Sequence, residues 1–158
     1  MTEWASVNLA LHVVGAGLWV GGSFALGFVT AAERRRAKPA EARISRTARA
    51  LAWVMWPALA LTVITGGFNT QLSTPASGSW FSPPTVGWLD AKLVGVAVMT
   101  LAAGLHSFVL GPRVRRRREA GASDEELAPL RRWSLRLGIL STLASVVVVG
   151  LGIALGQM

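Results

Sequence analysis

The sequence predicts an all-α integral membrane protein, a four-helix bundle with both termini on the outer face (N-out/C-out). Fifteen of the sixteen Lys and Arg residues lie in two stretches, Glu33 to Arg49 and Arg113 to Arg136. The four runs around them carry almost no charge, and each exceeds the roughly 18 residues that a helix needs to cross the hydrocarbon core. These runs are 7–32, 50–70, 86–111 and 137–155. Because cytoplasmic loops carry the excess of Lys and Arg, both basic stretches are expected inside the cell.

The length of the chain leaves room for a single transmembrane domain, residues 1–158, and for no soluble domain beside it. The chain has 158 residues, of which 52% are hydrophobic. We expect helices at about 6–32, 46–70, 86–111 and 133–156. The predicted location is the cell inner (plasma) membrane, as a multi-pass protein with the lipid bilayer as a partner.

Charge and cysteine content exclude several functions. A net charge of +8 would suggest nucleic acid as the partner of a soluble protein. Here the positive residues lie where topology signals and anionic lipid head groups account for them, so no nucleic-acid partner is expected. The chain has no cysteine, which excludes disulfides, thiolate metal sites and covalently attached c-type haem.

Charged residues and prolines delimit the first two predicted helices. Helix 1 ends in Glu33-Arg34-Arg35-Arg36. Pro39 prevents the helix from continuing, and a basic amphipathic stretch then leads into helix 2. Pro57 lies inside helix 2, where the missing backbone donor predicts a kink. Gly17 and Gly21 on helix 1 have the spacing that lets helices approach closely, within the bundle or between the copies of a homo-oligomer.

Helix 3 follows an outer loop, residues 71–85, that is rich in Pro and Trp. These residues are typical of an aromatic belt at head-group depth, and a lid over an outward-facing site is the alternative. Gly111-Pro112 is predicted to end helix 3, and Arg113 to Arg118 anchors that end. The acidic residues 124–126 begin a short inner segment that leads into helix 4.

Three ionisable residues inside the predicted spans are the functional candidates: His12, Lys92 and His106. Ionisable groups are expensive inside a membrane and therefore mark functional sites by default. Lys92, Met99 and His106 follow one another at seven-residue steps, which places them on one stripe of helix 3. By the same spacing, His12 shares a stripe with Trp19 on helix 1. A third stripe on helix 2 contains Met55, Thr62 and Asn69.

The rise along each helix predicts the depth of these side chains. His12 and Lys92 fall about 10 Å below the outer surface, Met55 and Met99 near ~20 Å, and His106 near ~30 Å. A single metal or haem iron would not be bound by both histidines of one protomer, because ligands on facing helices must share a level.

Several short motifs resemble a known group of membrane proteins. Leu11-His12 with Trp19-Val20-Gly21-Gly22 resembles the first-helix signature of CopD-like (copper resistance D) proteins and of HemJ-type protoporphyrinogen oxidases. Thr65-Gly66, Lys92-Leu93 and Pro112-Arg113 are similar to the CopD-like pattern in the later helices. Trp88 and Lys92, followed by His106, are similar to the third helix of HemJ-type proteins. This resemblance implies a haem b that is held with help from His12 and Lys92.

The first functional hypothesis is therefore a haem-b membrane protein with redox, gas or porphyrin-linked chemistry. His12 would be the axial ligand and Lys92 a second ligand or a partner of a haem propionate, with His106 as a further cofactor-binding candidate. Trp19 and Gly15 would shape the pocket, since glycine gives a flat macrocycle room between helices. A membrane haem oxidoreductase is one form of this hypothesis, and whether the chain is an enzyme stays open.

The second hypothesis is the passage of copper(I) across the membrane. His12, the pair Met55 and Met99, and His106 would form a ladder of metal ligands with steps of about 10 Å, because imidazole and thioether suit copper(I). The third hypothesis is an accessory structural subunit that packs on a larger complex through Gly17 and Gly21.

Overall fold

The computed structural model describes residues 3–36, 41–73 and 86–156, and they are helical apart from short turns. The helices are α1 (Glu3–Arg34), α2 (Glu41–Ser73), α3 (Val86–Gly104), α4 (Gly111–Glu119) and α5 (Asp124–Gly156). A six-residue π-helical segment, the π turn (Leu105–Leu110), joins α3 to α4. The described ranges contain no strand. The predicted all-α class is confirmed, whereas the N-out/C-out orientation stays a prediction.

Four segments of the described chain are long and apolar enough to cross a membrane. They are Glu3–Glu33, Arg43–Asn69, Leu89–Glu119 and Asp124–Ala154. Large apolar side chains lie on their surface, such as Phe28, which is 78% exposed, and Trp53, which is 79% exposed. Such a surface suits hydrocarbon and not water. The number of spans agrees with the four predicted from the charge pattern.

The helices form two units: the first helix pair (α1 with α2) and the second helix pair (α3 with α5, together with the π turn and α4). The helices extend beyond the predicted apolar runs because their basic flanks are helical too. Pro39 and most of the outer loop, residues 74–85, lie outside the described residues. The belt and lid interpretations of that loop therefore stay predictions.

Glycines bring α1 close to α2. A Cβ at Gly15 would lie 2.5 Å from Thr62 Oγ1 and 2.9 Å from the carbonyl oxygen of Ala58. One turn further, Trp19 packs edge-to-face on Trp56 with ring centroids 5.6 Å apart. α2 continues through Pro57 as one helix. Gly15 is thus used for close contact between the two helices of this pair.

An ion-pair cluster joins the end of α1 to the start of α2. The side chain of Glu33 is buried, and its Oε1 accepts from Arg36 at 2.9 Å and from Arg43 at 3.3 Å. Both arginines are about half exposed, so their charged ends remain near water while the carboxylate is covered. This pairing explains how a carboxylate is accommodated where the apolar run ends.

α3 packs on α5 through small residues and hydroxyl bonds. A Cβ at Gly95 would lie 2.7 Å from Val148 Cγ2, and Ser141 Oγ donates to the carbonyl oxygen of Met99 at 3.2 Å. Ser145 Oγ donates back to the carbonyl oxygen of Ser141 at 2.8 Å. Serine and glycine at such an interface permit close backbone approach and add hydrogen bonds between helices.

The predicted end of helix 3 at Gly111-Pro112 is wrong, because the chain remains helical through these two residues. The N–H of Gly111 bonds to the carbonyl oxygen of His106, five residues earlier, and α4 then runs to Glu119. Pro112 lies in the first turn of α4, where its missing N–H is tolerated. The helix therefore continues through the proline with hydrogen bonds of the π type before it. Ser123 and Glu126 then form a reciprocal capping box at the start of α5.

Candidate metal-binding histidines of the two helix pairs

His12 on α1 faces α2 and is bonded there by its Nδ1 atom. Nδ1 lies 2.9 Å from the carbonyl oxygen of Thr62 and 3.2 Å from Thr65 Oγ1. Gly66 makes room for the ring, since a Cβ at that position would lie 3.0 Å from His12 Cε1. The Thr65-Gly66 motif therefore has a local explanation: one residue bonds the imidazole and the next allows it to approach α2.

The contact with Thr62 determines the tautomer of His12. A carbonyl oxygen only accepts hydrogen bonds, so the nitrogen next to it must carry the proton. In the neutral ring the lone pair is then on Nε2. An imidazole that donates from one nitrogen to a backbone carbonyl is oriented in the way that metal-ligating histidines commonly are.

A second polar contact lies about one turn closer to the start of α1. Asn8 Nδ2 donates to Asn69 Oδ1 at 2.6 Å and to the carbonyl oxygen of Thr65 at 3.0 Å. Thr65 is buried, and its hydroxyl donates to the carbonyl oxygen of Leu61 at 2.6 Å. Polar side chains thus line the α1–α2 contact from Asn8 to His12, in a part of the helices that is otherwise apolar.

His106 in the π turn is bonded in the same manner within the second helix pair. Its Nδ1 lies 2.8 Å from the carbonyl oxygen of Ser134 and 3.0 Å from Ser134 Oγ, both on α5. The carbonyl again requires the proton on Nδ1 and leaves the lone pair of the neutral ring on Nε2. Gly138 lies beside the ring, with its Cβ position 3.9 Å from His106 Cε1. Each histidine is therefore held by a carbonyl and a hydroxyl of the neighbouring helix.

The two candidate methionines lie away from the histidine of their own helix pair. Met55 packs against Gly22, whose Cβ position is 2.8 Å from the sulfur. Gly22 is ten residues beyond His12 on α1, which corresponds to about 15 Å along the axis. Met99 is 4% exposed and lies seven residues, about 10 Å, before His106. Within each helix pair, histidine and methionine are thus too far apart to share one metal ion.

Lys92 is half buried in the second helix pair, beside α5. Its Nζ lies 3.4 Å from the Cβ position of Gly152, so this glycine gives the lysine room against α5. Among the described residues no carboxylate lies within ion-pair distance of its amine. Trp19 is buried against Trp56, which gives it a packing role in the first helix pair. The cofactor-binding roles predicted for Lys92, Trp19 and Gly15 stay predictions.

Sequence reasoning found both histidines but missed the residues that hold them. Thr62 and Asn69 were noticed only as members of a stripe, and Asn8 and Ser134 received no role. Their only signal was the position of a polar residue inside or beside an apolar run, and a single sequence does not indicate which helices face each other. Among residues 3–36, 41–73 and 86–156, no three His, Cys, Asp or Glu side chains form a metal-binding cluster.

Gly17 and Gly21, the predicted packing pair, are exposed in the first helix pair. Within the described residues, a Cβ at either position would meet nothing within 4 Å. The α1–α2 contact uses Gly15 and Gly22 instead. A homo-oligomer through Gly17 and Gly21 stays a prediction.

Comparison with known proteins assigns the chain to a family. The family model described as copper resistance protein D matches residues 45–155, a region that contains nearly all of α2 and continues almost to the end of α5. His106, Lys92, Met55 and Met99 lie inside the match, and His12 precedes it. A search of curated proteins and a search of solved structures gave no match. The described residues contain four segments that are able to span a membrane. Since the match covers well over half of its length, the chain is a membrane protein that belongs to the copper resistance protein D family.

Proposed function

We propose that this protein binds copper(I) within the membrane and passes it across, with the imidazoles of His12 and His106 as ligands. The observation that carries the proposal is the Nδ1 bond of each histidine to a backbone carbonyl of the neighbouring helix. Both rings are thereby oriented, as metal-ligating imidazoles commonly are. Membership of the copper resistance protein D family supports copper as the ion.

The spacing of the ligands favours passage over storage. In each helix pair the histidine and the methionine are separated by about 10–15 Å along the axis. Soft thioether and borderline imidazole ligands suit copper(I), and a few weak sites in succession would let an ion enter one and leave for the next. A storage site would instead gather three or four ligands at one level.

Lys92 fits this proposal as a positive charge that limits the number of cations held in the second helix pair. An ammonium group repels a nearby metal ion unless an anion or loss of its proton removes the charge. Removing the charge with Lys92→Leu, which adds no metal ligand, should therefore strengthen copper binding to the purified protein. Weaker binding would mean that the lysine supports the ligands.

Haem b, the first hypothesis from the sequence, receives less support. The hypothesis used Gly15 to make room for a macrocycle beside His12, but Thr62 and Ala58 of α2 fill the space next to this glycine. A flat ring of that size would not fit between α1 and α2 at this level. Haem binding with His12 as axial ligand and help from Lys92 stays a prediction, and an optical spectrum of the purified protein with added haem tests it independently.

Copper uptake into proteoliposomes tests the proposed function. We expect His12→Ala and His106→Ala each to lower the uptake rate by at least about tenfold, because each removes the only imidazole of its helix pair. Leu11→Ala and Leu105→Ala are matched controls, since each is the residue directly before the histidine and is exposed in its helix pair. Uptake that is unchanged in both histidine variants would overturn the proposal.

Copper binding to the same purified proteins separates the ligand role from a transport defect. Titration with copper(I) against a chromophoric competitor should show weaker binding in either histidine variant and unchanged binding in the two leucine controls. Circular dichroism with thermal unfolding would show whether each variant is folded. A folded His12→Ala, His106→Ala double variant that binds copper as the unsubstituted protein does would exclude both histidines as ligands.

A further inference from the structure

A shallow cavity of about 150 Å³ lies on one face of α5, near its start. Pro129, Arg132, Trp133 and Arg136 line it, at the spacing that places them on the same side of a helix. The guanidinium carbon of Arg136 lies 5.3 Å from the centre of the Trp133 ring. Two guanidinium groups and an indole therefore surround one small cavity.

The neighbouring charges of α4 and α5 are used elsewhere. Asp124 accepts from Arg131 at 2.8 Å and lies 3.7 Å from Arg118, while Glu126 caps the start of α5. Among the described residues, neither Arg132 nor Arg136 has a carboxylate within ion-pair distance. Glu125 is an exposed acid seven residues before Arg132, or about 10 Å along the helix. Within the part of the chain that the structure describes, the cavity thus combines two positive charges with no nearby counter-charge to neutralise them.

The position of the cavity along α5 corresponds to head-group depth. The uncharged run of α5 begins at Leu137, directly after Arg136. Trp133 is 57% exposed, as is common for tryptophan at the boundary between hydrocarbon and head groups. A ligand of this cavity would therefore have its charged part beside the arginines and an apolar part along the span.

We propose that Arg132, Trp133 and Arg136 bind the phosphate of an anionic phospholipid. Two guanidinium groups four residues apart can donate to the oxygens of one phosphodiester, and arginine matches that geometry better than lysine does. The indole would pack against the glycerol region, and the acyl chains would follow the exposed apolar face of α5. Basic cavities where helices enter the membrane recognise anionic lipids by this chemistry.

Native mass spectrometry of the full chain, released from micelles that contain phosphatidylglycerol and phosphatidylcholine, tests the proposal. We expect the unsubstituted protein to retain phosphatidylglycerol preferentially. Arg132→Gln with Arg136→Gln should lower this retention by at least about tenfold, because both charge-assisted hydrogen bonds from guanidinium groups to the phosphate are lost. Arg132→Lys with Arg136→Lys keeps the charge and should recover only part of the retention, because it lacks the planar fork.

Arg116→Gln with Arg117→Gln is the matched control. It removes the same charge from α4, where these two arginines have no ion pair among the described residues, and it should retain phosphatidylglycerol like the unsubstituted protein. If the two glutamine double variants lost phosphatidylglycerol retention equally, net charge alone would explain the effect, and the proposal would be overturned. Displacement of the lipid by millimolar inorganic phosphate would also overturn it, since the site would then bind free phosphate.

Quenching of Trp133 by brominated phosphatidylglycerol provides a second measurement in bilayers. The difference in quenching between the unsubstituted protein and Trp133→Phe gives the contribution of Trp133. This contribution should be larger with brominated phosphatidylglycerol than with brominated phosphatidylcholine. The difference between the two lipids should disappear in the Arg132→Gln, Arg136→Gln variant. Equal quenching by both lipids in the unsubstituted protein would overturn the proposal even if that double variant failed to fold.

Discussion

The imidazole of His12 lies against the backbone of Gly66, with only 3.0 Å between its Cε1 atom and the place that a Cβ would occupy. This contact joins the histidine of α1 to the Thr65-Gly66 motif of α2. The same ring bonds to the residue before the glycine and to Thr62 one turn earlier. Histidine and motif therefore form one structural unit, although 53 residues lie between positions 12 and 66 in the chain.

Gly66→Ala should displace the His12 ring and weaken copper binding. The added methyl group would be too close to Cε1, so the ring would have to shift and lengthen its bonds to α2. We expect copper affinity to fall by about tenfold, as it does when the groups that orient a ligand are disturbed. Gly67→Ala is the matched control, since a Cβ there meets nothing within 4 Å among the described residues. Equal affinity in the two variants would show that the Gly66 contact does not orient the ligand.

The tautomers of both histidines can be measured directly. We expect ¹⁵N NMR of the neutral rings to show the proton on Nδ1 in His12 and in His106, because a carbonyl oxygen lies beside that atom in each. Assignment requires only His12→Ala and His106→Ala, since the chain has two histidines. A proton on Nε2 in either ring would contradict the bonding described here and remove the geometric basis of the copper proposal for that residue.

The charge pattern was sufficient to predict the class of fold and the number of spans. Two basic stretches and four apolar runs leave few alternatives, because a helix is the form in which an isolated segment satisfies its backbone in lipid. The course of the chain at Pro112 was not predictable in the same way. Proline usually marks the end of a helix, and the π turn before it depends on hydrogen bonds that a sequence does not display.

The candidate site was predicted only in part, and the reason is again physical. His12 and His106 were identified because ionisable residues are rare inside apolar runs. Their partners, Thr62 and Ser134, bond to them through backbone carbonyls, and every residue of a protein carries a carbonyl. Which carbonyl accepts from a histidine depends on helix packing, and a single sequence does not reveal that packing.

Glu33→Gln should destabilise the first helix pair. The substitution removes the charge that pairs with Arg36 and Arg43, while the side chain stays buried. Because both arginines are about half exposed, we expect a loss of about 1–2 kcal/mol in the free energy of unfolding, less than for a fully buried pair. Thermal unfolding in micelles would measure it, with Glu119→Gln as control, since Glu119 is exposed in its pair with Arg115. Equal stability in the two variants would show that burial of Glu33 adds nothing to its ion pairs.

The predicted orientation, with both termini outside and the basic stretches inside, can be tested because the chain has no cysteine. Thr2→Cys and Ala120→Cys each introduce a single thiol, one near the N-terminus and one in the turn between α4 and α5. In intact cells, a membrane-impermeant maleimide should label the first variant and should label the second only after permeabilisation, since the Lys/Arg excess is retained in the cytoplasm. The reverse labelling pattern would show that the protein has the opposite orientation in the membrane. His12 would then lie near the cytoplasm, and Arg132 with Arg136 would face the outer leaflet.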